Sequence, residues 1–345
     1  MAGTRNVLFR VDGGPEVGMG HVVRSLALAQ QLRTRIMGNV SFIMRDFEAG
    51  VAKVRQAGFE VDVIPVDENI DHTVSLIQKR QPALIVTDIH EIENGYVRRL
   101  RCSSHRIACL TGLGWIEVGS DIVINGDIRY QKQVTVNRYG ARCFLGTDFF
   151  ILREGFAEVV HRKKPIRDNV ELVLVTLGGS DILGVGGQVV QALDAVRADF
   201  RVIIVLGSAF VETQDFKTAL MGAKREFIIK KDLEDMASPL YEADLAIAGG
   251  GFTMYELAAA GTPALVLCQA EHQLETATAF AQAGTCINLG MGNLVSQETL
   301  VKAVTGLVAD IDTRGHMSHK GKSLIDARGI YRVSNILTHC LVSSG

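Results

Sequence analysis

The sequence predicts an α/β protein of two doubly wound domains with a cleft between them. Three observations predict it. Short β-rich apolar runs alternate with helix-length segments. The runs lack strict polar alternation, as strands covered on both faces do. The rhythm stops once, at a charged stretch near the middle of the chain, and then restarts. At 345 residues the chain exceeds a typical single domain, so two domains are expected.

The strand-like runs of the first half are Asn6–Val11, Val40–Met44, Val61–Ile64, Ala83–Thr87 and Arg106–Leu110. After a gap come Leu172–Leu177, Arg201–Leu206, Glu226–Ile229, Leu245–Ala248 and Ala264–Cys268. Helical patterns lie between them at Val22–Leu32, Val185–Val196 and Tyr255–Ala260. Repeated βα units imply a parallel sheet with right-handed crossovers. The stretch His161–Asn169, HRKKPIRDN, carries charge and a proline but no core pattern. It reads as a linker, giving domains 1–163 and 164–345. Open α/β sheets bind ligands beyond the carboxyl ends of their strands, so two facing sheets are expected to share one site.

Composition narrows the function classes. Hydrophobic residues are 47% and charged residues 21% of the chain, and the formal net charge is −2. Nothing global favours nucleic acid or an anionic membrane as partner. The start, MAGTRNVLFRVDGG, lacks a signal-peptide layout, and no stretch approaches the roughly 20 apolar residues of a membrane span. Six cysteines are scattered without a CxxC pair, which points to buried reduced thiols. A cytoplasmic location is the expectation.

The segment VDGGPEVGMGHVVRS links the first strand to the first helix. Gly13, Gly14, Gly18 and Gly20 allow a sharp turn and close approach of a ligand. The helix start that follows offers N–H groups and a positive dipole end. The spacing matches neither GxGxxG nor the GK[ST] ending of a P-loop. His21 stands at the mouth of this loop. A histidine there has two readings: a general base for water or a sugar hydroxyl at neutral pH, or a capping or core residue. Arg24 shares its helix face and has two readings: a contact for an anionic ligand, or a partner that holds an acidic neighbour. Arg10 and Asp12 bracket the strand end. Asp12 is a candidate to orient His21 or to bind a sugar hydroxyl, the alternative being a turn aspartate.

The second half repeats this logic twice. Leu172–Leu177 runs into Gly178-Gly179-Ser180-Asp181, and the strand ending at Ala248 runs into Gly249-Gly250-Gly251 and a helix start near Phe252 or Thr253. Backbone N–H groups of such a turn can cradle a diphosphate without a metal. Glu256 has two readings: the capping-box partner of Thr253, or a carboxylate that takes the hydroxyls of a nucleotide ribose. Glu271, His272, Gln273 and Thr276 fall at a strand end and the following helix start, and have two readings: hydrogen bonding to phosphate or sugar, or an ordinary polar helix N-terminus. No HExxH and no DxD-type pair occurs, so no metal is expected.

Taken in order, RVDGGPEVGMGHVVRSLALAQ, LIVTDIHEI, DFFILREGFAE, TLGGSD, AGGGFTMYELAAAGTPAL and DARGIYRV resemble the PseG/SpsG family of the GT-B superfamily, and more distantly the MurG-type N-acetylglucosaminyltransferases. The resemblance covers most of the chain. It implies a GT-B fold, with the last helix packing back on the N-terminal domain, and a nucleotide-sugar substrate. In the UDP-sugar hydrolase of pseudaminic acid biosynthesis, water attacks the anomeric carbon with inversion and UDP leaves. The resemblance makes His21 the general base and gives Gly18 and Gly20 to the phosphate-facing loop. It matches Gly179 and Ser180 to the second-domain turn, Gly250 and Gly251 to the loop that faces the diphosphate, and Glu256 to the position that holds the ribose. One region departs from the pattern. Thr111-Gly112-Leu113-Gly114-Trp115 stands where the pseudaminic enzymes carry an acidic Asp-Asp stretch, and Asp88-Ile89-His90 replaces an Asp-His-Tyr-like one. Hydrolysis of a UDP-linked modified amino sugar is the leading expectation. Transfer to an acceptor by an inverting glycosyltransferase is the alternative. Oligomeric state is left open.

Overall fold

A computed structural model describes residues 5–14, 17–67, 70–89, 94–101, 105–111 and 116–342. In chain order the elements are β1 Val7–Val11, α1 Gly20–Arg35, β2 Val40–Arg45, α2 Glu48–Gln56, β3 Glu60–Ile64, α3 Ile70–Arg80, β4 Leu84–Asp88, α4 Asn94–Leu100, β5 Arg106–Leu110, β6 Ile122–Asn125, β7 Gln133–Val136 and β8 Arg142–Leu145. They continue with α5 Gly155–Val159, β9 Leu172–Thr176, α6 Gly186–Ala195, β10 Arg201–Leu206, α7 Gln214–Gly222, β11 Phe227–Lys231, α8 Ala237–Glu242, β12 Leu245–Gly249, α9 Thr253–Ala260, β13 Ala264–Cys268, α10 His272–Gln282, β14 Cys286–Met291, α11 Gln297–Ala309, α12 Ile311–Leu324 and α13 Gly329–Val342. The chain forms two compact units, Met1–Arg153 with Ala327–Gly345, and Glu154–Asp326.

The first unit is an eight-stranded sheet in the order β3-β2-β1-β4-β5-β6-β8-β7. Its strands are parallel except for β7, which runs antiparallel to β8. Every residue of β1 and β4 is buried, including the polar ones, because these central strands are covered on both faces. Phe9 of β1 and Phe42 of β2 stack with ring centroids 5.1 Å apart. On the other face Leu8, Ile43, Ile85, Ile107 and Val123 build a second layer of core. Helix α13 returns to this unit and packs on α1, with Arg332 Nη1 donating to Asp148 O at 2.9 Å.

The second unit is a six-stranded parallel sheet in the order β11-β10-β9-β12-β13-β14. Its core joins Val173, Val175, Ile204, Ile247 and Leu265 of the sheet to α6 and α11. The charged stretch 161–169, read from the sequence as a linker, is built into this unit instead. Lys164 is buried and donates to Ala243 O at 2.6 Å, Thr262 Oγ1 at 3.2 Å and Tyr241 O at the end of α8. Burial pushes its ammonium down to about 7. Arg167 pairs with Asp244 at 2.5 Å. The division falls earlier, between Arg153 and Glu154, because α5 packs on α8 and α9.

Cations close the carboxyl ends of four helices here. Lys322 serves α5 through Val159 O at 3.2 Å and Val160 O at 2.9 Å. Lys164 serves α8. Arg225 serves α6 through Leu193 O at 3.2 Å and Val196 O at 3.0 Å. Arg314 serves α11 through Leu307 O at 2.9 Å and Val308 O at 2.6 Å, and also holds Arg167 O and Asp168 O at 2.7 and 3.0 Å. Orphan carbonyls and the negative end of the helix dipole favour such cations. Arg314 is 1% exposed, so no water replaces it. Arg314→Ala should therefore cost about 3 kcal/mol in chemical denaturation, and Arg314→Lys, which cannot span all four carbonyls, should fall in between.

Candidate active site

In the first unit, strand order reverses between β1 and β4, the place where open α/β sheets leave a ligand crevice. The loop after β1 is shaped by its glycines. A Cβ on Gly13 would lie 2.4 Å from Val22 Cγ2, so glycine lets α1 seat against the strand end. Gly18 has φ +74°, a region that favours glycine, and its carbonyl accepts from Gly14 N at 3.2 Å. Gly20 opens α1 and His21 is the second helical residue. The helix has no side-chain cap at Met19 and no acid in its first turn, which leaves the positive end of its dipole uncompensated by the helix's own residues.

Asp88 ends β4 directly beside Val11 of β1. It is fully buried and gathers the catalytic candidates. His21 Nδ1 lies 2.7 Å from its Oδ1, Arg24 Nε donates to its Oδ2 at 2.7 Å, Arg24 Nη2 donates to its Oδ1, and Ser25 Oγ donates to its Oδ2 at 2.8 Å. These contacts use the lone pairs of both oxygens. Burial alone would raise the carboxyl, but the charges of Arg24 and His21 and their hydrogen bonds outweigh it and hold Asp88 below its ordinary range. An ionised carboxylate only accepts, so the His21 nitrogen that faces it carries the proton. Nε2 is then the basic nitrogen of the ring.

The expectation that Asp12 orients His21 is corrected here. Asp12 accepts from Arg10 Nη1 at 2.6 Å and from Arg45 N at 2.8 Å; the orienting carboxylate is Asp88. Arg10 is likewise not a surface ligand group. It is 2% exposed, because it sits inside a central strand, and its charge is opposed by burial but supported by Tyr96 and Asp12. The Asp88 and Ser25 roles were missed in the sequence. The signal was an acid closing an otherwise apolar strand run at the same sheet edge as His21. Of the departing segments, His90 and Gly112–Trp115 lie outside the described residues, as do Pro15 and Glu16; Thr111 is buried.

The second unit repeats the arrangement. Its switch point lies between β9 and β12, and Thr176, Ala248 and Gly249 are neighbours across paired strands with Leu267 of β13. The loops holding Gly179 and Ser180, Gly249–Gly251, and Gln269–Gln273 therefore leave the same sheet edge together. Gly178 has φ +97°. Asp181 accepts from Val185 N at 3.0 Å and Gly186 N at 2.6 Å, so the start of α6 already holds a carboxylate. Helix α9 holds none as a cap: its cap residue is Phe252, with no side-chain bond. Thr253 is the first helical residue, so the Thr253–Glu256 capping box does not form. Glu256 lies in the first turn of α9 and is 9% exposed.

Gln273 organises the triple-glycine loop. Its Oε1 accepts from Gly250 N at 3.1 Å and from Gln269 N at 2.8 Å. A Cβ on Gly250 would lie 2.9 Å from Cys268 Sγ, whereas one on Gly251 would meet only Gln273 Nε2, at 3.7 Å. His272 opens α10, and Thr276, one turn on, is buried. Among the described residues no group of three or more His, Cys, Asp or Glu is placed to hold a metal. No helix among them is long and apolar enough to cross a membrane.

The Asp88 cluster can be tested as a unit. Asp88→Asn strips Arg24 of its buried counter-charge and should destabilise the fold by about 3 kcal/mol. The Arg24→Met/Asp88→Leu double variant should cost clearly less than its two single changes summed, since the pair is coupled. Additive losses in thermal denaturation would argue against a shared network.

Residues 172–332 match the glycosyltransferase family 28 C-terminal domain. The spore coat polysaccharide biosynthesis protein SpsG of Bacillus subtilis is 31% identical over 333 residues, covering 94% of this chain and 96% of that protein. Among solved structures, MurG of Acinetobacter baumannii superposes with a TM-score of 0.67 at 15% identity, over 97% of this chain and 99% of that one. The UDP co-structure of Staphylococcus aureus MnaA gives 0.64 at 12% identity, over 98% and 97%. With that identity across nearly the whole of both sequences, the chain belongs to the SpsG family, and its fold is GT-B.

Proposed function

We propose that the protein is a hydrolase of a UDP-linked modified amino sugar, with His21 as general base. The observation that carries this reading is the His21–Asp88–Arg24 arrangement at the sheet switch point. Nε2 of His21 takes a proton from water as the water oxygen bonds to the anomeric carbon. The bond from that carbon to the diphosphate oxygen breaks, the configuration inverts, and UDP leaves. Asp88 holds the ring in the required tautomer and answers its positive charge once the proton arrives. Arg24 and Ser25 hold the carboxylate in place. Such proton transfer contributes about 10²–10⁴ in rate.

The second unit supplies the nucleotide side of the reading. The backbone N–H of Gly251 and the uncapped start of α9 meet the charge that develops on the diphosphate. Glu256, one turn into α9, takes the ribose hydroxyls. In this reading no metal is required. A second reading, an inverting transferase, is favoured by the match of residues 172–332 to a glycosyltransferase domain. It differs only in the nucleophile, an acceptor hydroxyl in place of water.

Incubation with UDP-sugars in the absence of any acceptor decides between them. Hydrolysis predicts catalytic release of UDP; release only on adding an acceptor glycan would establish transfer. His21→Asn should lower turnover by about 10²–10⁴ and leave UDP affinity within a few fold. Parallel loss of UDP binding would make the residue structural. Glu256→Ala should weaken UDP by about 10–100-fold, the worth of charged hydrogen bonds, in a calorimetric titration; unchanged affinity would remove it from the ribose.

A further inference from the structure

We propose that β7 is a dimerisation edge, at which two copies of this chain pair antiparallel through their Val134-Thr135-Val136 segments to join their first-unit sheets. The argument begins with how sheet edges are protected. A free edge presents unpaired N–H and C=O groups and is normally blunted by charge, proline or irregularity. Among the described residues, three of the four sheet edges are blunted. β3 carries Glu60 and Asp62, both bound by Arg80. β11 ends in Lys230 and Lys231. β14 pairs with a break in register and holds Gly290 at φ +88°. β7, Gln-Val-Thr-Val, has no charge or proline, and all four residues are exposed. Val134 and Val136 are 56% and 61% exposed.

Backbone direction fixes what this edge offers. Asn137 N donates to Ala141 O at 3.0 Å, and the β7–β8 register continues through Thr135↔Cys143. Alternation in an antiparallel ladder then turns Thr135 and Gln133 towards β8. The N–H and C=O of Val134 and Val136 face outward. A second β7 placed with Val134 opposite Val136 of its partner satisfies all four outward groups of each strand. That register also sets four valines on one face, beside Phe144 and Arg142 of β8, and brings the two Thr135 residues together on the other. Sliding the strands to centre on Val134 or on Val136 instead sets a valine against Lys132 or Arg138 and loses the valine cluster.

Charge agrees with self-pairing. In this register Lys132 meets Arg138 of the partner, which alone would repel. Each brings its own carboxylate, however: Lys132 lies 2.6 Å from Asp148 and Arg138 lies 3.4 Å from Glu117. Each of these two cations is therefore paired within its own copy.

The test uses the full chain. Light scattering coupled to size exclusion should give twice the monomer mass at micromolar concentration. Val134→Lys/Val136→Lys should run as a monomer with the far-ultraviolet circular dichroism of the wild type, because both side chains are exposed within one copy. Val136→Pro, which deletes only an outward N–H, should do the same. Thr135 faces its own copy in a pair whose Cα atoms approach to about 4.5 Å, so Thr135→Cys should form an interchain disulfide under mild oxidation. Val134→Cys, opposite Val136, should not. A monomeric wild type, a dimer that survives both edge variants, or equal crosslinking of the two cysteine variants would overturn the proposal.

Discussion

The candidate chemistry of this protein depends on one buried carboxylate. Asp88 closes β4 where the sheet order reverses, and it has no access to water. An isolated charge there would be very costly. It is tolerated because Arg24 grips it with two donors, Ser25 adds a third and His21 a fourth. Those three residues lie within one and a half turns of α1, so satisfying the carboxylate fixes the rotation and seating of the whole helix start. The same interaction positions the imidazole and selects its tautomer. Stability and site geometry therefore share one origin. The carboxylate's contribution to stability is complete above its ordinary value of 3.8 and is lost only on acidification below it.

The second unit solves the corresponding problem without a charged side chain at its loop. A glycine turn approaches closely because Gly250 leaves room for Cys268 and Gln273, and Gln273 fixes that turn through two backbone donors. The uncapped start of α9 lies next to it. The start of α6, in contrast, already holds Asp181, while the first turn of α9 carries Glu256. Elsewhere in this unit the carboxyl ends of α5, α6, α8 and α11 are closed by Lys322, Arg225, Lys164 and Arg314, of which Lys164 and Arg314 are buried.

All ten strand-like runs named from the sequence are strands, and the βα order gave the fold class, because apolar runs between helical patterns leave few alternatives. Four strands were not legible. β6, β7 and β8 have four residues each, and β7 is exposed, so it carries no burial signal. β14 contains Asn288 and Gly290 within six residues. The linker reading of 161–169 failed because Lys164 and Arg167 look like solvent-facing charges until the carbonyls and Asp244 that they bind are in view. The glycine loops and His21 were legible as local patterns. Asp88 was not, since 67 residues separate it from His21 and only the pairing of β1 with β4 brings them together.

Nitrogen-15 NMR of the His21 imidazole, at a pH where the ring is neutral, tests the central claim most directly. Free histidine favours the tautomer protonated on Nε2. The account predicts that in the folded chain Nδ1 carries the proton and Nε2 is the unprotonated nitrogen, and that Asp88→Asn abolishes this preference. A ring protonated on Nε2 in the unaltered protein would contradict it.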